Sequence, residues 1–254
     1  MAVSPLSSPR RILPVSLAAL AALAILIGLG LWQIQRLDWK RQLIVTLQSR
    51  LSAPPVTLCA VARRVAENRI DTERTDWLRV RASGCFIGDR SLYLYATLNG
   101  VAGWHVVSAF KADQGCGVLV DRGFIPDAIR RTKKDIARPA PAPLALTGHI
   151  RTHSRGQGVF TPDNQAEANR WYWWDIPAMA AEFDLGRDSL ATAFVVVAEP
   201  SGGNAADRPQ WPRALNPMPE LPNHHLQYAL TWFGLALCLL CIYTIFIVKR
   251  LRGR

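Results

Sequence analysis

The sequence predicts an α+β protein: two transmembrane helices, one N-terminal and one C-terminal, flanking one mainly antiparallel-β periplasmic domain with short helices. Three observations predict this. The 254 residues include two uncharged apolar runs, Ile12–Leu31 and Leu226–Val248, each close to the ~20 residues that cross a bilayer. Between them, near residues 45–222, remain about 175 residues, enough for one well-buried domain, and they carry short period-two runs joined by Gly and Asp turns. The short flanks hold Arg10 and Arg11 at one end and Lys249, Arg250, Arg252 and Arg254 at the other, with no acid in either. Basic flanks of this length mark the cytoplasmic side of a membrane.

In chain order, residues 1–11 are expected as a cytoplasmic tail, 12–32 as the first transmembrane helix and 33–222 as the periplasmic domain. Residues 226–248 then form the second transmembrane helix and 249–254 a cytoplasmic tail. The first run is longer than the apolar stretch of about 7–15 residues in a signal peptide. Trp32-Gln33-Ile34-Gln35-Arg36 follows it, not a small-residue cleavage site, so it is expected to stay as an anchor. Only eleven residues precede it, too few for a mitochondrial transit peptide, which favours a bacterial inner membrane.

Leu37–Leu51 keeps helical spacing, with Trp39, Leu43, Ile44, Leu47 and Leu51 near one side, so the helix continues beyond the membrane until Pro54-Pro55 stops it. A short helix is expected over Val56–Arg64. Strands follow at Leu78–Phe86, Ser91–Tyr95, Gly103–Phe110 and Gly117–Asp121, separated by Gly88-Asp89-Arg90 and Asp113-Gln114-Gly115, and the close spacing suggests an antiparallel meander. The basic, Pro-rich stretch 126–142 reads as an exposed connection. Leu144–Arg151 and Ala193–Ala198 add two strands. Asp175 is placed to cap a short helix that has proline in its first turn.

The net charge of +11 does not signal nucleic acid. The tails supply +6, and the rest is a mild excess of 24 basic over 19 acidic residues. Cys59, Cys85 and Cys116 allow one disulfide in an oxidising compartment without indicating which pair. Cys238 and Cys241, inside an apolar run, are expected as small packing residues. The domain lacks G-x-S-x-G, H-E-x-x-H and any P-loop. Its histidines, His105, His149 and His153, are expected at the surface. His149 and His153 on a strand would stand about 13 Å apart.

The polar residues at the membrane boundaries are more telling. At about 100° per residue, His225, Tyr228 and Trp232 share one stripe about 60° wide, and Trp32, Arg36 and Trp39 share another. An aromatic belt with a snorkelling arginine accounts for part of this. It accounts less well for Gln33, His225, Gln227 and Thr231, since polar groups near hydrocarbon tend to be paired. If the two stripes faced each other, they would enclose an apolar wall, a histidine nitrogen and an arginine. That composition suits a haem: an iron ligand, aromatic packing and a cation for propionates. Plain helix pairing and an inert interfacial histidine fit the same residues.

Several segments, in this order, resemble the Surfeit-locus-one family of cytochrome c oxidase biogenesis factors. They are Leu29–Lys40, Val80–Phe86, Gly117–Pro126, Pro162-Asp163-Asn164, Asn169–Met179 and His225–Phe233. Asp121 stands where that family more often has Asn, and Phe124 where it often has Trp. The resemblance implies a non-enzymatic assembly factor for haem-copper oxidases that assists binding and insertion of haem a. Its expected partners are the oxidase catalytic subunit, haem A synthase and the lipid bilayer, with no nucleic acid. An alternative is a membrane scaffold that binds the immature subunit and the haem-a-synthesising enzyme without holding haem. The family's haem-contacting histidine maps onto His225, expected to meet the iron, with Tyr228, Trp232, Trp32 and Arg36 as pocket residues. Arg122-Gly123 is expected to serve a turn, the glycine by its backbone freedom and the arginine by pinning it.

Overall fold

The computed structural model describes residues 12–133, 137–139, 142–152, 156–183, 185, 193–200, 211–215 and 224–252. The chain divides into two compact units, Met1–Thr46 with Glu220–Arg254, and Leu47–Pro219.

The first unit is built from helices. Helix α1 runs unbroken from Ile12 to Ser52, with its last residues belonging to the second unit. It ends just before Pro54-Pro55, where proline disfavours helical geometry in the residue ahead of it. Among the described residues of this unit, the other helix is α5, His225–Arg252. Both are long and apolar enough to cross a membrane.

The second unit holds β1 (Val56–Thr57), α2 (Leu58–Ala66), β2 (Arg79–Phe86), β3 (Leu92–Leu98), β4 (Val101–Ala112) and β5 (Gly117–Pro126). After these come α3 (Asp127–Thr132), β6 (Leu144–Arg151), α4 (Ile176–Ala181) and β7 (Val195–Ala198). The strands lie in the order β1-β2-β6-β7-β5-β4-β3, and β2 also pairs with β4 through Gly84, Cys85 and Phe86. That extra pairing closes β2, β6, β7, β5 and β4 into a ring. Gly84 makes the closure possible, because a Cβ there would sit 2.8 Å from the Ala112 Cα.

The sheet is mixed, a correction to the antiparallel expectation. The meander is real for β3–β4–β5, but β1 runs parallel to β2 and β7 parallel to β5. Parallel neighbours need a crossover. Here α2 supplies the first, and the long connection containing α4 supplies the second.

Each face of the sheet has its own core. One joins Val80, Phe110, Val118, Val120, Leu146, Ile150 and Val196 with Leu58, Val61 and Ala62 of α2. A Cys59–Cys116 disulfide fastens α2 to the start of β5 and settles the pairing the sequence left open; Cys85 is free and exposed. The other core packs Leu92, Leu94, Val107, Leu119 and Val195 against Trp171 and Met179 of the α4 region. As the sequence indicates, Asp175 caps α4, accepting from the Ala178 N–H. The outer edge of β3 is taken by the chain near Trp171, whose N–H bonds the Tyr93 carbonyl and whose carbonyl accepts from Tyr95.

Part of the expected exposed connection is an anchor. Ala137 is buried, and its carbonyl accepts from Arg122 at 2.7 Å and from Ser91 at 2.8 Å. Arg122 therefore pins this connection and not the local turn. Burial lowers the Arg122 pKa, against a smaller opposing influence of Tyr93. Gly123 does meet a backbone requirement: its φ is +120°, and it lies against the backbone of Arg213.

Candidate functional site

The helix pair of the first unit holds the five candidate residues. Its contact face is set by small residues, as expected where helices have no hydrophobic drive to associate. Gly30 on α1 lies against Phe233, so close that a Cβ at Gly30 would sit 2.6 Å from the ring. Ala229 and Ala236 of α5 are buried on the same stripe.

Two polar contacts bracket this face. Nδ1 of His225 meets Oε1 of Gln33 at 2.8 Å, and the Tyr243 hydroxyl donates to Ser16 at 2.6 Å. The contacts are seventeen residues apart on α1 and eighteen on α5, or about 26 Å along either helix axis. The two helices thus run antiparallel in matched register, with their polar pairs near the ends of a hydrocarbon-sized span.

The Gln33 contact favours one tautomer of His225. A carboxamide oxygen can only accept, so Nδ1 carries the proton and donates it. The neutral ring then keeps its lone pair on Nε2, the tautomer a metal-binding imidazole needs. The donor chemistry of His225 therefore fits an iron. Trp232 is half-buried on the same flank, while Tyr228 is 56 % exposed.

Trp32 and Arg36 lie elsewhere. With Trp39 they sit roughly 120–180° round α1 from Gly30, away from the contact face. Trp32 is 54 % exposed, and the Arg36 guanidinium stacks 4.0 Å above the Trp39 ring. The two stripes recognised in the sequence thus do not enclose one pocket. Small residues decide the packing, leaving the aromatic–arginine stripe outward. Cys238 and Cys241 also lie on the outer side of α5 and are exposed, not packed into the contact.

In the second unit, two histidines depart from the surface expectation, while His153 lies outside the described residues. His105 is half-buried, its Nδ1 at 2.7 Å from Oδ2 of the buried Asp121, whose Oδ1 accepts from the Gly123 N–H. Burial disfavours the charged His105, but the charge and hydrogen bond of Asp121 outweigh it and raise its pKa. His149 is 2 % exposed, beneath the end of α1. Its Nε2 lies 3.3 Å from the Leu51 carbonyl and 3.3 Å from Glu199, and Nδ1 is buried without a partner. Burial lowers its pKa, against the pull of the Leu51 carbonyl and Glu199. Arg79 holds both oxygens of Glu199 at 2.8 Å. The pairings of His105, His149 and Arg79 do not show in sequence, because their members are 16 to 120 positions apart. Among the described residues, no group of three or more His, Cys, Asp or Glu is arranged to hold a metal ion.

A cleft of about 390 Å³ opens between Thr72, Thr152, Trp173, Trp174 and Ile176. It lies in the second unit, whereas the five candidate residues belong to the first.

Comparison with known proteins adds a broader finding. A family model described as the SURF1 family matches residues 20–237. A SURF1-like protein of Monosiga brevicollis is 31% identical over 233 residues, covering 86% of this chain and 82% of that protein. A SURF1-like protein of Rickettsia felis is 27% identical over 234 residues, covering 91% and 96%. Surfeit locus protein 1 of Homo sapiens is 30% identical over 228 residues, covering 82% and 69%.

Proposed function

The chain belongs to the SURF1 family, and from that premise we propose that it is an assembly factor for haem-copper cytochrome c oxidase. In this reading it is not an enzyme. It sits in a bacterial inner membrane with both ends cytoplasmic and the strand-rich unit periplasmic. It holds haem a as cargo for the oxidase catalytic subunit and receives it from haem A synthase. The basic flanks support the orientation, and the Cys59–Cys116 disulfide suits an oxidising compartment.

One observation carries the haem reading: the 2.8 Å contact from His225 to Gln33. It directs the proton to Nδ1 and leaves Nε2 as the donor. His225 would hold the iron, with Trp232 and Tyr228 along the macrocycle. Haem would supply an iron that an imidazole can ligate, and the chain would supply His225 with Nε2 as the donor. The test is an absorption spectrum of full-length protein purified from cells making haem a. His225→Ala should lose most of the Soret absorbance while its circular dichroism stays unchanged. Full haem occupancy in that variant would remove the ligand role.

The outward stripe of Trp32, Arg36 and Trp39 favours a second reading, a scaffold that binds the immature subunit and the haem-synthesising enzyme. Exposed aromatic and arginine side chains are common anchors of protein contacts. If the protein is only a scaffold, purified samples should co-purify with both partners and show no Soret band.

A further inference from the structure

Val159 and Phe160 are 94 % and 99 % exposed, more than any other large apolar side chain among the described residues, including those of the two membrane-capable helices. They occupy the tip of an ordered turn. The Thr161 N–H bonds the Gly158 carbonyl at 2.9 Å. Gln157 braces the turn from inside, its Nε2 donating to the Thr161 carbonyl at 2.8 Å and to Oδ1 of Asp163 at 2.9 Å. The bracing uses a backbone carbonyl and a neighbouring carboxylate, and nothing in it needs Val159 or Phe160. A turn of this kind is ordinarily tipped by Gly, Asn, Asp or Ser. Here it displays the two residues that gain most from leaving water.

We propose that this Val159-Phe160 tip is a membrane-surface anchor, seating its two side chains in the interfacial zone of a bilayer. A lipid surface is the occupant the chain itself points to. It has two helices long and apolar enough to cross a membrane, and on the membrane reading proposed above, on which this inference rests, a bilayer is an apolar medium that the chain meets. The stretch 150–162, which contains the tip, carries Arg155, Arg151 paired with Asp76 at 3.2 Å, and no acid. The first carboxylate after it, Asp163, accepts from Gln157. An apolar tip with basic and no acidic residues leading into it suits an anionic interface. Peptide capture would need a strand edge or groove at the tip, and the cleft lined by Thr152 and Gly156 does not include Val159 or Phe160. The proposal is independent of whether the protein carries haem.

The test uses the full chain in vesicles of phosphatidylcholine and phosphatidylglycerol, with Cys85, Cys238 and Cys241 replaced by Ser. Pro162→Cys is labelled with the environment-sensitive fluorophore NBD. With the natural tip, NBD emission should be blue-shifted and quenched by lipids spin-labelled near the headgroup. Iodide quenching should be about threefold weaker than in a Val159→Ser/Phe160→Ser variant, whose label should sit in water. Both proteins should melt at the same temperature, since neither side chain is packed. Equal iodide access in the two proteins overturns the proposal. So does shielding of the label that arises only when a partner protein is added to the vesicles, which would make the tip a protein-docking element.

Discussion

Nδ1 of His105 stands 2.7 Å from Oδ2 of Asp121 across the irregular pairing of β4 and β5, and that carboxylate is itself 2 % exposed. Because the His105 pKa is raised above its ordinary 6.5, the pair stabilises the fold fully below about pH 6.5. That contribution fades as pH rises through the folded-state value. Asp121→Asn keeps an acceptor for the Gly123 N–H but removes the charge. The variant should lose about 1–3 kcal/mol near pH 6 and less at pH 8.5. Thermal unfolding across this range checks it; a pH-independent loss would disprove the coupling.

His149 behaves in the opposite sense. Its pKa is lowered by burial, so the stability present above pH 6.5 is lost as pH falls through the folded-state value. His149→Gln can still donate to the Leu51 carbonyl but cannot take up a proton. Denaturant midpoints measured from pH 7 down to pH 5 should fall less in this variant than in the parent.

The Cys59–Cys116 bond closes a 57-residue separation and ties α2 to β5. By the chain-entropy relation its removal should cost about 4 kcal/mol. Cys59→Ser/Cys116→Ser should lower the urea midpoint by that equivalent, with Cys85→Ser as a near-neutral control.

Gly30 sets how closely α1 and α5 approach. Gly30→Leu should force them apart, because even a Cβ meets the Phe233 ring at 2.6 Å. Between spin labels on Ser16→Cys and Tyr243→Cys, the short distance expected with Gly30 present should be lost in the Leu variant. Adding Phe233→Ala should restore it.

If Gln33 orients His225, then Gln33→Leu should reduce haem occupancy of the purified protein about tenfold, the usual cost of losing a group that orients a metal ligand. Gln33→Glu, which preserves the acceptor, should retain most of it. Equal haem content in all three proteins would separate Gln33 from haem binding.

How legible the molecule was depends on the range of each interaction. Local signals held: the long N-terminal helix stopped by Pro54-Pro55, β6 at Leu144–Arg151, and the Asp175 cap of α4. Periodicity and capping act within a few residues, so the sequence carries them. The parallel pairing of β7 with β5 and the closure of β2 on β4 rest on contacts between distant segments, and no local pattern encodes them. The helix stripes were visible as stripes. Which stripe faces the partner helix was decided by Gly30, Ala229 and Ala236, residues that draw little notice because they are small. His149 looked like a surface histidine because strand spacing does not reveal that the end of α1 lies above it.

The ring of β2, β6, β7, β5 and β4, with the outer edge of β3 already taken by Trp171, leaves little unpaired strand backbone among the described residues. Sheets with bare edges recruit one another and grow. With its described strand backbone paired in this way, the sheet can stand at high local density without recruiting the strands of its neighbours.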